Sequence, residues 1–527
     1  MTLHRPPDIL YDAIIIGSGF GGAMAARPLI DAGLKVLMIE RGDWVRRGPE
    51  NWDVNAAYHL SPYHSMDSPI RVEAGGHFDR MGNLECVGGP SVFYGGVSLR
   101  YREADFTPPA EIVADSGAAW PIDYRDLEPH YTVAERLLHV HGASGVDPTE
   151  PPRSCGYPAP PGPIAEVSRT IAAAANALGM HPVQLPLAIN HSAREANRGK
   201  CISCPTCDTY ACAIGAKNDI AIRLIPDLLT DGMVLARRMV VRRLVAGTRR
   251  IEAVECVDKS DGATLRFRGR QVILAAGALG TPHIVLSSGL AERNPGGQLI
   301  GRFLMRHTNA IVFGIFPRVP DRQRRFHKDL GIFDFYFGDP DNSRAPRKLG
   351  CIQQFQTPPV GLVRDFLPWP LGTIIAPTLS HLTGLLTISE DQPQLTNHVR
   401  IDPGNRDRFG LSRLIVHHRY TARDMAAARA LIRRSRQILR KAGAWLHYVH
   451  WVKTFSHALG TMRMGDDPTR SVVDGCGAFR GLDNLFVTDG SVMPTSAGVN
   501  PSLTIAANAL RISNYLVRTW RDRHEAA

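Results

Sequence analysis

The turn at residues 17–22 constrains this chain more than any other feature. Ala13-Ile-Ile-Ile16 is a short apolar run of the kind that forms a strand buried on both faces of a parallel sheet. Gly17-Ser-Gly19-Phe-Gly-Gly22 follows at once, a G-x-G-x-x-G turn leading into an alanine-rich stretch with helical character. The first glycine permits the tight turn. The second lets backbone approach a pyrophosphate, and the third lets helix pack on strand. A helix beginning there offers unpaired N–H groups to phosphate oxygens. A second apolar run, Lys35-Val-Leu-Met-Ile39, ends in Glu40, where a carboxylate can accept from a ribose diol and would repel a 2′-phosphate. The pattern predicts a strand–turn–helix–strand unit that binds a dinucleotide. Pro28 falls inside the expected helix and predicts a kink or a shift of register.

A chain of 527 residues is larger than one hydrophobic core sustains, so two interlocked domains are expected. The net charge of +11 raises the question of nucleic acid. Its basic pairs are scattered (Arg46-Arg47, Arg237-Arg238, Arg433-Arg434), which reads as a solvated basic surface with no nucleic-acid partner. No run of apolar residues is long enough to predict a transmembrane segment. Ile14 to Ala26 is apolar, but its glycines mark a turn and not a secretory leader. Of nine cysteines, four lie between positions 201 and 212, which argues against a dispersed disulfide framework. A cytoplasmic, reducing location is the expectation.

Residues 43–85, rich in Asp, His, Pro and Arg, read as loop. Gly88-Gly-Pro-Ser91-Val-Phe-Tyr94-Gly-Gly96 is a second glycine-dense turn, able to lie close against a flat ring or a diphosphate. Asp123 is a candidate N-cap, with Asp126 in capping-box position. Pro148 to Pro163 reads as a surface crossover. Val272 to Leu286 reads as a buried strand, a small-residue turn and a helix opening at Pro282. From Asn309 to Val416 apolar runs such as Ala310–Phe316, Gly350–Gln356 and Leu411–His418 alternate with charged turns, the mark of an antiparallel sheet in a separate domain. A helix is expected from Asp424 to Ala444.

Taken in order, the first turn with Glu40, the Gly88–Gly96 loop, Ala275-Ala-Gly-Ala-Leu-Gly-Thr-Pro282, Ile300-Gly-Arg-Phe-Leu-Met-Arg-His307, Ser456-His-Ala-Leu-Gly-Thr461 and Asp489-Gly-Ser491…Asn500-Pro-Ser-Leu-Thr504 resemble the glucose–methanol–choline (GMC) oxidoreductases. The resemblance spans about residues 10 to 515. It implies an α/β (α+β overall) architecture: a Rossmann-like FAD-binding domain built from discontinuous segments, and a substrate domain with an antiparallel sheet flanked by helices. The corresponding segments are 8–160, 225–308 and 455–520 for FAD, 309–454 for substrate, and 161–224 for a cysteine-containing loop and helical crossover. Cofactor contacts are implied at Gly17, Gly19, Gly22, Glu40, Gly89, Ser91, Gly95, Val241, Ala276, Asp489, Gly490, Asn500 and Pro501.

The family's H-x-x-G-T histidine, which sits beside flavin N5 and the substrate hydroxyl, is His457 here, and its later partner is Asn500. The chemistry agrees. Taking hydride from an alcohol carbon requires the hydroxyl proton to leave too, and a neutral imidazole can accept it. Asn500 offers a donor and an acceptor to hold the hydroxyl. The flavin carries the redox chemistry. The expected reaction is FAD-dependent oxidation of a primary or secondary alcohol on a small polar molecule, with electrons passing to oxygen or an external acceptor. A nicotinamide-dependent dehydrogenase and a redox-inert flavin-binding electron-transfer subunit are the alternatives.

Two departures matter. Tyr94 stands where many members have Asn, and the loop lacks the histidine that tethers flavin in some members, so non-covalent FAD is expected. An aromatic there is similar to branches acting on sugars and to aminoglycoside alcohol oxidases. The second departure is Cys201-Ile-Ser-Cys204-Pro-Thr-Cys207-Asp-Thr-Tyr-Ala-Cys212. Its C-x2-C-x2-C spacing begins ferredoxin loops. Structural thiols, an iron–sulfur cluster and zinc all remain open. A cluster would imply an electron-acceptor protein as partner.

Overall fold

A computed structural model describes residues 6–53, 64–74, 77–192, 198–322, 328–355, 370 and 376–525. Gln356, at the end of an expected strand, lies outside them. The chain is a mixed α/β protein, and its described residues form three sheets.

The first sheet carries the dinucleotide turn. Four neighbours, β6 (Val234–Ala236), β2 (Val36–Ile39), β1 (Leu10–Ile16) and β9 (Thr264–Leu274), run parallel, and β17 (Leu485–Val487) joins the far side of β9. β9 is long enough to serve two layers. Its last residues lie between β1 and β17, while Thr264–Phe267 continue antiparallel into β8 (Ile251–Asp258) and β7 (Met239–Ala246). All four residues of β2 are buried, as a strand covered on both faces requires.

The second sheet is antiparallel: β16 (Leu446–Trp451), β10 (Thr308–Ile315), β13 (Leu382–Ser389), β12 (Gly350–Phe355), β11 (Leu330–Ile332) and β5 (Pro182–Gln184). Alternation along β12 divides its faces. Ile352 enters the core beneath the helix Ala422–Lys441, whereas Cys351 and Phe355 join the core shared with the dinucleotide sheet. β5 and the helix Glu166–Asn176 bring part of the 161–224 crossover into this layer.

The third sheet departs from expectation in two ways: it takes the Leu411–His418 run out of the substrate-domain sheet, and it draws strands from the 43–85 stretch. β3 (His64–Ala74) and β4 (His77–Leu84) form a hairpin within the stretch read as loop, and β3 pairs in parallel with β15 (Ser412–His417), beside β14 (His398–Arg406). The alternation Ile70-Arg-Val72-Glu-Ala74 is short and set among polar residues and glycines. Ile70 nevertheless anchors the hairpin by packing with Leu304, Val399 and Val416.

Helix boundaries correct two expectations. The first helix runs Phe20–Asp31 through Pro28. The helix after β9 opens at Gly277, not at Pro282, and runs to Ser287. Proline at that depth lacks the N–H that would bond Ala278 O, and the Thr461 hydroxyl donates to that carbonyl instead at 2.7 Å. The long helix is Ala422–Lys441 because Thr421 and Asp424 form a reciprocal capping box. The box expected between Asp123 and Asp126 is present.

Candidate active site

Four of the sequence segments meet at the C-terminal ends of the parallel strands, where such sheets bind ligands. Gly17 needs a positive φ of 106°, and a Cβ there would lie 2.3 Å from Ala275 O. A Cβ on Gly22 would fall 1.9 Å from Gly17 O, so helix and strand touch through this glycine. Gly19 differs: a Cβ would meet only Gly88 O, at 4.0 Å. Space free of protein therefore lies at the N-terminus of the first helix, where a diphosphate would be held.

Glu40 is buried. Its carboxylate accepts from Ser18 N at 3.1 Å, Ser18 Oγ at 2.5 Å and Gly42 N at 2.8 Å. Burial pushes its pKa up, and those hydrogen bonds pull the other way. Oε2 takes both Ser18 bonds, so Oε1, which accepts only from Gly42 N, keeps a lone pair for a ribose hydroxyl. Val241 lies in β7, two residues beyond Met239, whose N–H donates to Glu40 O. Ser18 Oγ accepts from Gly88 N, which brings the second glycine turn against the first. Gly89 approaches Gly19 so closely that its Cβ would lie 3.3 Å from Gly19 Cα. Ser91 Oγ donates to Gly88 O at 2.7 Å and accepts from Ile220 N.

On the other side, Asp489 accepts from Gly277 N at 2.8 Å and Thr281 Oγ1 at 2.5 Å, next to Ala276, the residue preceding that helix. Its other oxygen accepts from Ser491 N. Ser491 Oγ is buried beside the Asp489 carboxylate. A Cβ on Gly490 would lie 2.7 Å from Leu459 Cδ2, so the 489–491 segment abuts the turn that bears His457. These features fit a dinucleotide: an open helix N-terminus and a buried carboxylate with a spare lone pair.

His457 is partly buried, and its Nδ1 lies 3.1 Å from Nδ1 of the fully buried His307. Burial, first, then His307 and the charge of Lys328 push the His457 pKa well below the imidazole range, against the pull of Asp391. His307 Nε2 is 3.0 Å from the carbonyl oxygens of Ser496 and Ala497. That contact ties His457 to the loop that ends in Asn500 and Pro501. Asn500 Oδ1 accepts from Gln353 Nε2 at 2.6 Å.

The 496–500 loop is held from below. Glu390 Oε1 accepts from Ala497 N, and Asp391 Oδ1 accepts from both Ser496 Oγ and His307 N. Tyr336 Oη accepts from Gly498 N and donates to Asp105. Lys348 Nζ bridges Asp105 at 2.7 Å and Glu390 at 2.6 Å, all three buried.

His307, Gln353 and Lys328 enter the site without a role that the sequence motifs imply. His307 closes a quoted motif, a signal that was available. Nothing marks Gln353, whose place follows only from strand alternation. Lys328 pairs with Asp208 of the cysteine loop, and a Cβ on Gly95 would lie 3.1 Å from its side chain. The cysteine loop thus reaches the rim of the site. Cys201, Cys204, Cys207 and Cys212 are free thiols. Burial, first, and the neighbouring cysteines raise the Cys201 pKa to about 11. Among the described residues no group of three or more potential ligands is arranged to hold a metal ion.

Parallel sheet, glycine turn, buried carboxylate and a neutral histidine on the opposite segment define a dinucleotide-dependent oxidoreductase. GMC oxidoreductase family models match residues 167–309 and 393–509. The 6‴-hydroxyparomomycin C oxidase of Streptomyces lividus is 32% identical over 96% of this chain and 91% of its own. Paromamine 6′-oxidase of Streptomyces fradiae is 32% identical over 99% and 94%. The crystal structure of pyridoxine 4-oxidase from Mesorbium loti superposes with a TM-score of 0.68 at 19% identity, covering 96% of this chain and 99% of that one. The chain belongs to the GMC oxidoreductase family. It is an FAD-dependent oxidoreductase acting on CH–OH groups of small polar molecules. Among the described residues, no helix is long and apolar enough to cross a membrane.

Proposed function

We propose that the protein oxidises a hydroxyl group on an amino-sugar-like molecule, with His457 as the base and Asn500 holding the reacting oxygen. The observation that carries this reading is His457 itself: its ring is kept neutral by burial and anchored at one nitrogen by His307. A neutral imidazole can take the hydroxyl proton as the carbon-bound hydrogen leaves with its electron pair. FAD supplies the acceptor for that hydride when bound. With Asn500 Oδ1 engaged by Gln353, its amide N–H groups face the substrate oxygen and stabilise the charge that develops there.

The cofactor contacts are assigned to Gly17, Gly19, Gly22, Glu40, Gly89, Ser91, Gly95, Val241, Ala276, Asp489, Gly490, Asn500 and Pro501, in segments 8–160, 225–308 and 455–520. Segment 309–454 is assigned to substrate, with 161–224 as the crossover. Non-covalent attachment is supported by a 88–96 loop without histidine, and acid precipitation that releases all the yellow colour tests it. Nine free cysteines support a reducing, cytoplasmic location. The four clustered cysteines act as structural thiols in this reading. Oxygen or an external acceptor then reoxidises the flavin, and oxygen uptake distinguishes the two.

The amino-sugar assignment leans on two relatives named as aminoglycoside oxidases. Anaerobic addition of paromamine should bleach the flavin, whereas simple alkanols should not. A nicotinamide-dependent dehydrogenase would give the 489–500 segment no task, and a redox-inert flavin carrier would give His457 none.

A further inference from the structure

Every polar atom of His307 is committed. Its N–H donates to Asp391 Oδ1 at 3.1 Å, and its carbonyl accepts from the Tyr420 hydroxyl at 2.8 Å. Its Nε2 lies 3.0 Å from two backbone carbonyl oxygens, and its Nδ1 lies 3.1 Å from His457 Nδ1. The two rings meet edge to face, with centroids 5.1 Å apart and planes at 84°. His307 and Ala497, both on this contact, are non-glycine residues in the left-handed region, at φ 59° and 54°. Such backbone persists only where the surroundings hold it, and it clusters where function demands a fixed geometry.

The hydrogen positions follow from what each partner can do. Carbonyl oxygens only accept, so His307 Nε2 must carry a hydrogen. Burial keeps the His307 ring neutral, with a single N–H, which leaves its Nδ1 bare. Two Nδ1 atoms in contact need one hydrogen between them, and it can come only from His457. His457 is then protonated at Nδ1 and bare at Nε2, the nitrogen on the opposite edge of the ring.

We propose that His307 is the positioning residue that fixes His457 in the tautomer able to act as a base. It works as the carboxylate does in a hydrolase triad, but without a charge. When His457 Nε2 takes the substrate's hydroxyl proton, the ring becomes a cation and its Nδ1–H bond to His307 becomes charge-assisted and stronger. No bond to hydrogen breaks at His307.

The inference rests on His457 being the base, and the two are tested separately. In holoenzyme labelled with ¹⁵N-histidine, with His457 assigned by difference against His457→Gln, the spectrum should show a protonated Nδ1 and a bare Nε2. The reverse assignment overturns the proposal whatever the kinetics show. Anaerobic flavin reduction is then compared in His307→Gln, whose amide oxygen can still accept from His457, and His307→Leu, which cannot. The Leu variant should lose about 10²-fold in reduction rate with substrate affinity unchanged, and the Gln variant should recover about tenfold of that. A fully flavinated Leu variant that matches the Gln variant overturns the proposal. If the Leu variant fails to retain FAD, the spectrum of the unsubstituted enzyme still decides. Normal flavin reduction by His457→Ala would refute the base assignment while leaving the tautomer to be read from the nitrogen shifts.

Discussion

His457 and His307, 150 residues apart in the chain, meet Nδ1 to Nδ1 at 3.1 Å, and the second ring rests on the carbonyls of the loop that carries Asn500. One short chain of contacts therefore links both proposed catalytic side chains to a single rigid element. Its consequences can be measured.

The first concerns pH. Burial, then His307 and Lys328, depress the His457 pKa well below the ordinary imidazole value of about 6.5. The ring is active when neutral and is lost as a base when pH falls through that depressed value. Flavin reduction followed anaerobically across pH should be level near neutrality, with its acid limb below about 6.5. An acid limb above neutrality would contradict a partly buried, neutral base.

The second contrasts two glycines three residues apart. Gly19→Val projects a side chain into space that no protein atom occupies, so the protein should fold but purify colourless. Gly22→Val forces a Cβ to within 1.9 Å of Gly17 O and should cost about 3 kcal/mol or more, lowering the melting temperature itself. A yellow Gly19→Val protein would misplace the diphosphate.

These two positions also mark what could be read in advance. The turn, Glu40 and the flanking strands lie within one local stretch, where spacing alone dictates geometry. The His307–His457 contact and the Gln353–Asn500 bond depend on how two sheets are brought together, and no local pattern encodes that. The 64–84 hairpin escaped because it is stabilised by pairing with β15, which lies far along the chain, and its alternation from Ile70 is short and set among polar residues and glycines. Pro282 misled for a different reason. A mid-helix proline is tolerated because Thr461, on the turn that bears His457, satisfies the carbonyl it frees.

The third prediction concerns Lys348, buried between Asp105 and Glu390. Lys348→Met leaves two buried carboxylates without their cation and should cost about 3–5 kcal/mol, seen as a lowered denaturation midpoint. Glu390 also accepts from Ala497 N, so the surviving folded fraction should reduce its flavin more slowly. An unchanged midpoint would mean the three groups are not coupled as described.

The fourth concerns the cysteine loop. Anaerobically purified protein should show flavin absorption without iron or acid-labile sulfide, and replacing Cys201 and Cys212 by Ser should leave flavin reduction intact. Stoichiometric iron with sulfide would make the loop an electron exit and direct the search to an acceptor protein.

The central claim is tested most directly by mixing the oxidised enzyme anaerobically with paromamine and following the flavin band, in the unsubstituted protein and in His457→Ala. The account predicts rapid bleaching in the first. In the second it predicts full flavin content with reduction slowed by about 10²–10⁴-fold. Equal bleaching in both proteins would contradict it.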